Sequence, residues 1–149
     1  MAAKSPIVLF LDFDGVLHPK GAGGPRFTRL PLFEAFLREP AMVDISIVIS
    51  STWRQAYAFP KLRGFFAPDI ATRIIGCTPT LSSYSSDFER GEEIEAWLAA
   101  SHVARWVGLD DDVDGFTPRL RRRLVLCDGT RGVCIEDLEK VRSILSSQA

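Results

Sequence analysis

The chain has 149 residues, 46% of them hydrophobic and 25% charged, with a formal net charge of −1, which suits one soluble domain, residues 1–149, around a single core. No global basic excess marks a nucleic-acid-coating protein, although a local patch is enough to receive a nucleic-acid end. Three cysteines, Cys77, Cys127 and Cys134, are an odd count without CxxC spacing, which argues against a disulfide scaffold and a zinc site and points to a reducing cytoplasm.

The opening "MAAKSP" leads straight into an apolar run without a leader pattern, and no later stretch approaches membrane-spanning length. "PIVLFLDF" predicts a buried first strand bounded by Pro6 and Gly15. "GAGG" at 21–24 is not followed by GK[ST], so it reads as a flap over a site and not as a phosphate-binding loop. Residues 30–38 predict a helix with Leu32, Phe33, Phe36 and Leu37 on one face, ended by Pro40. "ISIVISS" is a second strand, and residues 53–66 a helix interrupted by Pro60 and Gly64. "ATRIIGC" is a third strand, and "TPTLSSYSSD" a polar loop. In the helix predicted at 91–100, Glu92, Glu93 and Glu95 favour the positive N-terminal end, and Ile94, Trp97 and Leu98 form the apolar face. "VARWVGL" and "RLVLCD" are the fourth and fifth strands. A last helix aligns Ile135, Leu138, Val141, Ile144 and Leu145.

Strands alternating with helices predict an α/β fold: a doubly wound parallel sheet covered on both faces, a three-layer sandwich. Ligands in such sheets sit beyond the carboxyl ends of the strands. The first strand ends in "LDFDG". If strand geometry persists, Asp12 and Asp14 share one side at the mouth of the sheet. Two such carboxylates repel unless a divalent cation sits between them or one holds its proton and acts as an acid and base beside an ionised nucleophile. Capping aspartates are the plainer alternative. The fourth strand also delivers acids, Asp110 to Asp112, and two strand ends supplying carboxylates to one edge make a metal-site constellation. "DDDVDG" at 110–115 imitates an EF-hand loop, but its twelfth position is Arg121 where a glutamate is needed, and the preceding run is strand-like. A phosphoryl group needs donors and fixed positive charge. Ser50, Ser51 or Thr52 at the end of the second strand offer the first, and Arg90, placed just ahead of the 91–100 helix, the second.

"LDFDGVL", "IVISST", Arg90 before "GEEIEAWL", and "GLDDD" resemble, in content and order, the four motifs of the haloacid dehalogenase-like (HAD) phosphatase superfamily. "LDFDGVLHP", "ISSTWR" and "RGEEIEAWL" are similar to the small phosphatase-like domain of Swiss Army Knife RNA repair proteins. The resemblance implies a Rossmann-like HAD core and a Mg2+-dependent, cytoplasmic phosphoric monoester hydrolase. It implies Asp12 as the nucleophile that forms an aspartyl-phosphate and Asp14 as the acid and base. Ser51 would bind phosphate, with Ser50 as the alternative one residue out of register, and Arg90 would steady the phospho-aspartate. Asp110 would bind metal with Asp12 and the backbone carbonyl of Asp14, and Asp111 would lie behind them. The third-motif position is usually lysine; arginine keeps the charge but presents a planar fork.

The spacing between motifs leaves no room for a cap domain. Capless members resemble enzymes that act on exposed phosphates of macromolecules or borrow a lid from a partner. The expected partner is therefore a phosphorylated substrate, with RNA or DNA ends or nucleotides as candidates, and no membrane. His18, Trp53, Arg54 and Tyr57 are candidates to line the open mouth, with core packing the plainer reading of Trp53 and Tyr57. The basic run "RLRRR" at 119–123 reads as a solvated strand edge or helix end, with contact to a phosphate backbone as the alternative. Phosphotransfer to another acceptor, or a non-catalytic module that binds phosphate or a partner, are the competing functions. The intact motifs weigh against the second.

Overall fold

The computed structural model describes residues 6–21 and 23–149. Its sheet is built from β1 (Ile7–Leu11), β2 (Ile45–Ile49), β3 (Ile74–Cys77), β4 (Arg105–Asp110) and β5 (Leu124–Leu126), all parallel, in the order β3-β2-β1-β4-β5. β1 is central because "IVLFL" has apolar side chains for both faces of a doubly covered sheet. Leu9 and Leu11 enter the larger core, with Phe33, Leu37, Leu138 and Val141. Val8 and Phe10 enter the smaller one, with Ile94, Trp106 and Phe116. The larger layer holds α1 (Leu30–Leu37) and α6 (Ile135–Ser147), and the smaller holds α5 (Glu89–Ala99). The three-layer α/β sandwich is thus the observed architecture.

Register carries this fold to the site. Leu11 lies opposite Ile49 on one side and Leu109 on the other. The Asp12 N–H donates to the Leu109 carbonyl at 3.1 Å, and the Ser50 N–H to the Leu11 carbonyl at 2.8 Å. Asp12, Ser50 and Asp110 therefore emerge at one level along three adjacent strands. The chain winds outward from β1 through β2 to β3, then returns to the other side for β4 and β5. The crevice at that reversal is where such sheets bind ligands.

Several expected boundaries move. The 53–66 helix is two helices, α2 (Trp53–Ala56) and α3 (Phe59–Arg63). Pro60 stands in the first turn of α3, where its missing N–H costs nothing, so the break falls ahead of it. The third strand is shorter than "ATRIIGC", because Pro68 starts α4 (Pro68–Ala71). α5 begins at Glu89, so Arg90 lies in its first turn and not ahead of it. Ile135, assigned to the apolar stripe of the last helix, is 62% exposed; burial begins at Asp137 and Leu138. The expected flap at 21–24 includes Ala22, which lies outside the described residues. Between β1 and β2 the described chain forms α1 and a 3-10 turn at Pro40–Met42, and between β2 and β3 it forms three short helices, so neither connection carries a cap. No helix among the described residues is long and apolar enough to cross a membrane.

Phe13 separates the two acids of "DFD". It is fully buried in the larger core, with ring contacts to Phe27, Trp53 and Phe66 at 5.9, 5.4 and 5.8 Å. It continues the alternation of Leu9 and Leu11, which leaves Asp12 on the side of Val8 and Phe10, facing α5. Phe13→Ala should therefore cost about 3–5 kcal/mol of stability, measured as the loss in urea unfolding free energy. A loss below about 1 kcal/mol would contradict this anchoring role.

Candidate active site

Asp12 and Asp110, only 5% and 2% exposed, meet at the C-terminal edges of β1 and β4. With Asp111 they bring one carboxylate oxygen each within 4.8 Å of one another. Local hydrogen bonds orient them. Asp12 Oδ1 accepts the Phe13 N–H at 2.9 Å. Asp110 Oδ1 accepts the N–H groups of Asp111 and Asp112 at 2.8 and 3.0 Å. Asp111 is wedged between two glycines: a Cβ placed on Gly15 or Gly129 would come within 2.2 or 2.5 Å of Asp111 Oδ2. At Gly15 the backbone also has φ +79°, a conformation that side chains disfavour. The chain after Asp110 runs into a 3-10 turn at Val113–Gly115, capped by Asp112, and its acids converge on β1 and not around a calcium loop.

Positive charge enters from α5. Arg90 Nη1 lies 3.5 Å from Asp12 Oδ1 and also donates to the Ser50 carbonyl, while Nε is 3.8 Å from Asp110 Oδ2. Lys20 Nζ lies 3.7 Å from Asp111 Oδ2. These cations do not relieve the cluster. Burial, then the neighbouring Asp110, hold the Asp12 carboxyl well above the usual carboxylate range, with Arg90 pulling the other way. Burial pushes Asp110 up to about 6 against the pull of Arg90. Burial works against the Arg90 cation too, but Asp110 and Asp12 outweigh it and hold Arg90 above its ordinary value. Three hard oxygen donors, packed more tightly than their charges allow, suit a divalent cation such as magnesium. The donor set offers no imidazole or thiolate for a softer metal.

Asp14 does not sit beside Asp12 in that cluster. Its Oδ1 pairs with His18 Nε2 at 2.8 Å, and its Oδ2 accepts the Trp53 indole N–H at 3.1 Å. His18 Nδ1 accepts the Phe27 N–H at 3.2 Å, so the imidazole proton is on Nε2, facing Asp14. The strand ends at Leu11 and the chain turns at Gly15, so the period-two alternation stops before it can align the two carboxylates. The charges that press on Asp12 come from Asp110 and Asp111. The Asp14 side chain is 43% exposed, open to a substrate and to water in a way that Asp12 is not.

The two serines differ. Ser51 Oγ accepts the Trp53 N–H at 3.2 Å. Ser50 Oγ, level with Asp12, is buried and has no hydrogen-bond partner among the described residues. Behind them lies a network that the sequence did not reveal. Arg54 donates to the Ser51 carbonyl and to Glu93 Oε2, both at 2.6 Å, and the Tyr84 hydroxyl donates to the same Glu93 oxygen at 2.6 Å. Glu93 therefore anchors the loop after β2, and the acids in the first turn of α5 are Glu89 and Glu92. One signal was available: Glu93 is three residues after Arg90, hence on the same helix face. Trp53 and Tyr57 are half-buried, packed on the core yet bordering the site. The "RLRRR" run forms a 3-10 turn at Leu120–Arg123, with Arg123 over Trp106 at the far end of β4.

The pressed carboxylates have a measurable consequence. An acid raised in the folded state destabilises the fold once ionised. For Asp110 that penalty is absent below the ordinary value of 3.8 and complete above about 6. In excess chelator, Asp110→Asn should therefore unfold at higher urea than the parent protein at about pH 7.5, and the gain should shrink to nothing by about pH 4. An Asn variant less stable than the parent at neutral pH would refute this cost of the buried charge.

Residues 8–138 match the family described as the HAD domain in Swiss Army Knife RNA repair proteins. No curated protein matches the chain. The match spans all of the sheet except Ile7 and every acid described above, and at the level of the superfamily it supports HAD-type phosphohydrolase chemistry. The chain belongs to the family of HAD domains found in Swiss Army Knife RNA repair proteins.

Proposed function

We propose that the protein is a magnesium-dependent phosphomonoesterase that works through an aspartyl-phosphate on Asp12, with phosphorylated nucleic-acid ends or nucleotides as its substrates. The observation that carries this reading is the convergence of Asp12, Asp110 and Asp111 beside Arg90 at the reversal point of the sheet. The substrate class rests on the open, capless edge and on the RNA repair proteins in which the family's domains occur.

Asp12 and Asp110 would hold magnesium, with the backbone carbonyl of Asp14; the Asp111 carboxylate is close enough to join them. When bound, the ion offsets the crowded negative charge and draws electron density from the phosphoryl oxygens. An Asp12 carboxylate oxygen attacks phosphorus as the bond to the leaving oxygen breaks, and Asp14 gives that oxygen its proton. Asp14 then takes a proton from water as the water oxygen attacks phosphorus and the bond to Asp12 breaks, releasing inorganic phosphate and restoring both side chains. Arg90 keeps a fixed charge beside Asp12 throughout. Ser51, whose Oγ accepts the Trp53 N–H and keeps its own O–H free to donate, would hold a phosphoryl oxygen, with the unpartnered Ser50 hydroxyl as the alternative.

The two aspartates should fail differently. Asp12→Asn should abolish turnover and form no covalent adduct. Asp14→Asn should lower turnover about 10² to 10⁴-fold, yet still release one equivalent of a good leaving group and accumulate phosphoprotein, seen by rapid mixing and intact mass. Magnesium-dependent turnover by the Asp12→Asn protein, or an adduct mapped elsewhere, would overturn the assignment.

A further inference from the structure

The cleft on the Asp14 side of the site is distinct in chemistry from its neighbour. It has a volume of about 390 Å3 and is bordered by Asp14, His18, Arg26, Thr52, Trp53 and Tyr57. Trp53 is braced at its edges by Phe13, Phe27 and Phe65 at 5.4, 5.4 and 5.6 Å, and its N–H is spent on Asp14. Tyr57 lies against it at 5.5 Å with the rings 34° apart. The Arg26 guanidinium sits over the indole at 4.9 Å. Arg26 is exposed and has no hydrogen bond or ion pair with any described residue, so its charge is unclaimed. The cleft beyond Thr52 differs: Asp87, Glu89, Glu93, Asp112 and Asp114 border it and outnumber its cations, Arg54 and Arg90, which disfavours a polyanion there.

We infer that the Arg26–Trp53–Tyr57 surface is the subsite for the nucleobase of the substrate's leaving group. The inference rests on the phosphohydrolase reading above. A leaving oxygen must face Asp14 to collect its proton, so whatever that oxygen belongs to lies in this cleft. Flat aromatic and guanidinium groups take a base by stacking, without regard to its identity. The surface also runs outward from Asp14. Trp53 touches Asp14, Tyr57 lies against it from just past the end of α2, and the exposed Arg26 covers the ring. An aryl ester, such as phosphotyrosine, carries its ring directly on the leaving oxygen and would end at Trp53. A nucleoside carries its base several bonds away, across the sugar, and reaches Arg26 and Tyr57.

The test compares adenosine 5′- and 3′-monophosphate with ribose 5-phosphate, which has no base. Short oligonucleotides phosphorylated at either end separate a polymer terminus from a free nucleotide, and a phosphotyrosine peptide supplies the aryl case. The better nucleotide should exceed ribose 5-phosphate in kcat/KM by about 5- to 150-fold. Arg26→Gln and Tyr57→Leu should each remove most of that advantage and leave ribose 5-phosphate turnover unchanged. Adenosine, which has no phosphate, should quench indole fluorescence in the parent protein and less in both variants, a readout independent of turnover. Equal rates with and without a base, an advantage insensitive to both variants, or preference for the phosphotyrosine peptide would overturn the subsite. Adenosine quenching that depends on Arg26, with no phosphate released from any substrate, would uphold the subsite and sink the hydrolase reading instead. Turnover without quenching or base preference would do the opposite.

Discussion

The structure depends on a repulsion that it does not resolve by itself. Two carboxylates, Asp12 and Asp110, are buried at the ends of neighbouring strands, and a third, Asp111, lies beside them in space that Gly15 and Gly129 leave by having no side chain. Parallel pairing of β1 with β4 sets their level, and backbone N–H groups set the direction of Asp12 and Asp110. Arg90 answers part of the charge, yet both buried acids stay above their ordinary range. A fold that keeps such a cluster is spending stability on a site.

The same edge separates two chemical environments. Asp12 is dry, level with the unpartnered Ser50 hydroxyl and under the fork of Arg90. Asp14, two residues on, is exposed and hydrogen-bonded to the His18 imidazole and the Trp53 indole. Phe13 makes the difference by filling the core between them, and Gly15 by turning the chain at once. Paired acids with contrasting surroundings are what a nucleophile and a proton carrier require.

Much of this was legible in the sequence. Uninterrupted apolar strands alternating with amphipathic helices lead to the parallel sheet, and the rule for carboxyl-terminal edges leads from the sheet to Asp12, Asp110 and the serines. Short-range events were harder to see. The 53–66 segment reads as one interrupted helix, because a proline that breaks a helix and one that starts a helix look alike until the turn is known. Asp14 reads as a neighbour of Asp12, because alternation holds only while the strand does. The Arg54–Glu93–Tyr84 network joins three separate segments, and no spacing rule brings a residue at 54 to one at 93. Ser50 and Ser51 differ in their hydrogen bonds, which composition does not encode.

A divalent cation joining the acids of β1 and β4 would offset the charge that the fold leaves uncompensated there. Thermal unfolding with and without magnesium measures this, because an ion that binds only the folded protein raises Tm further as its concentration rises above the dissociation constant. Magnesium should raise the Tm of the parent protein progressively with concentration and leave that of Asp110→Asn nearly unmoved. Equal shifts in both proteins, or no shift in the parent at saturating magnesium, would contradict it.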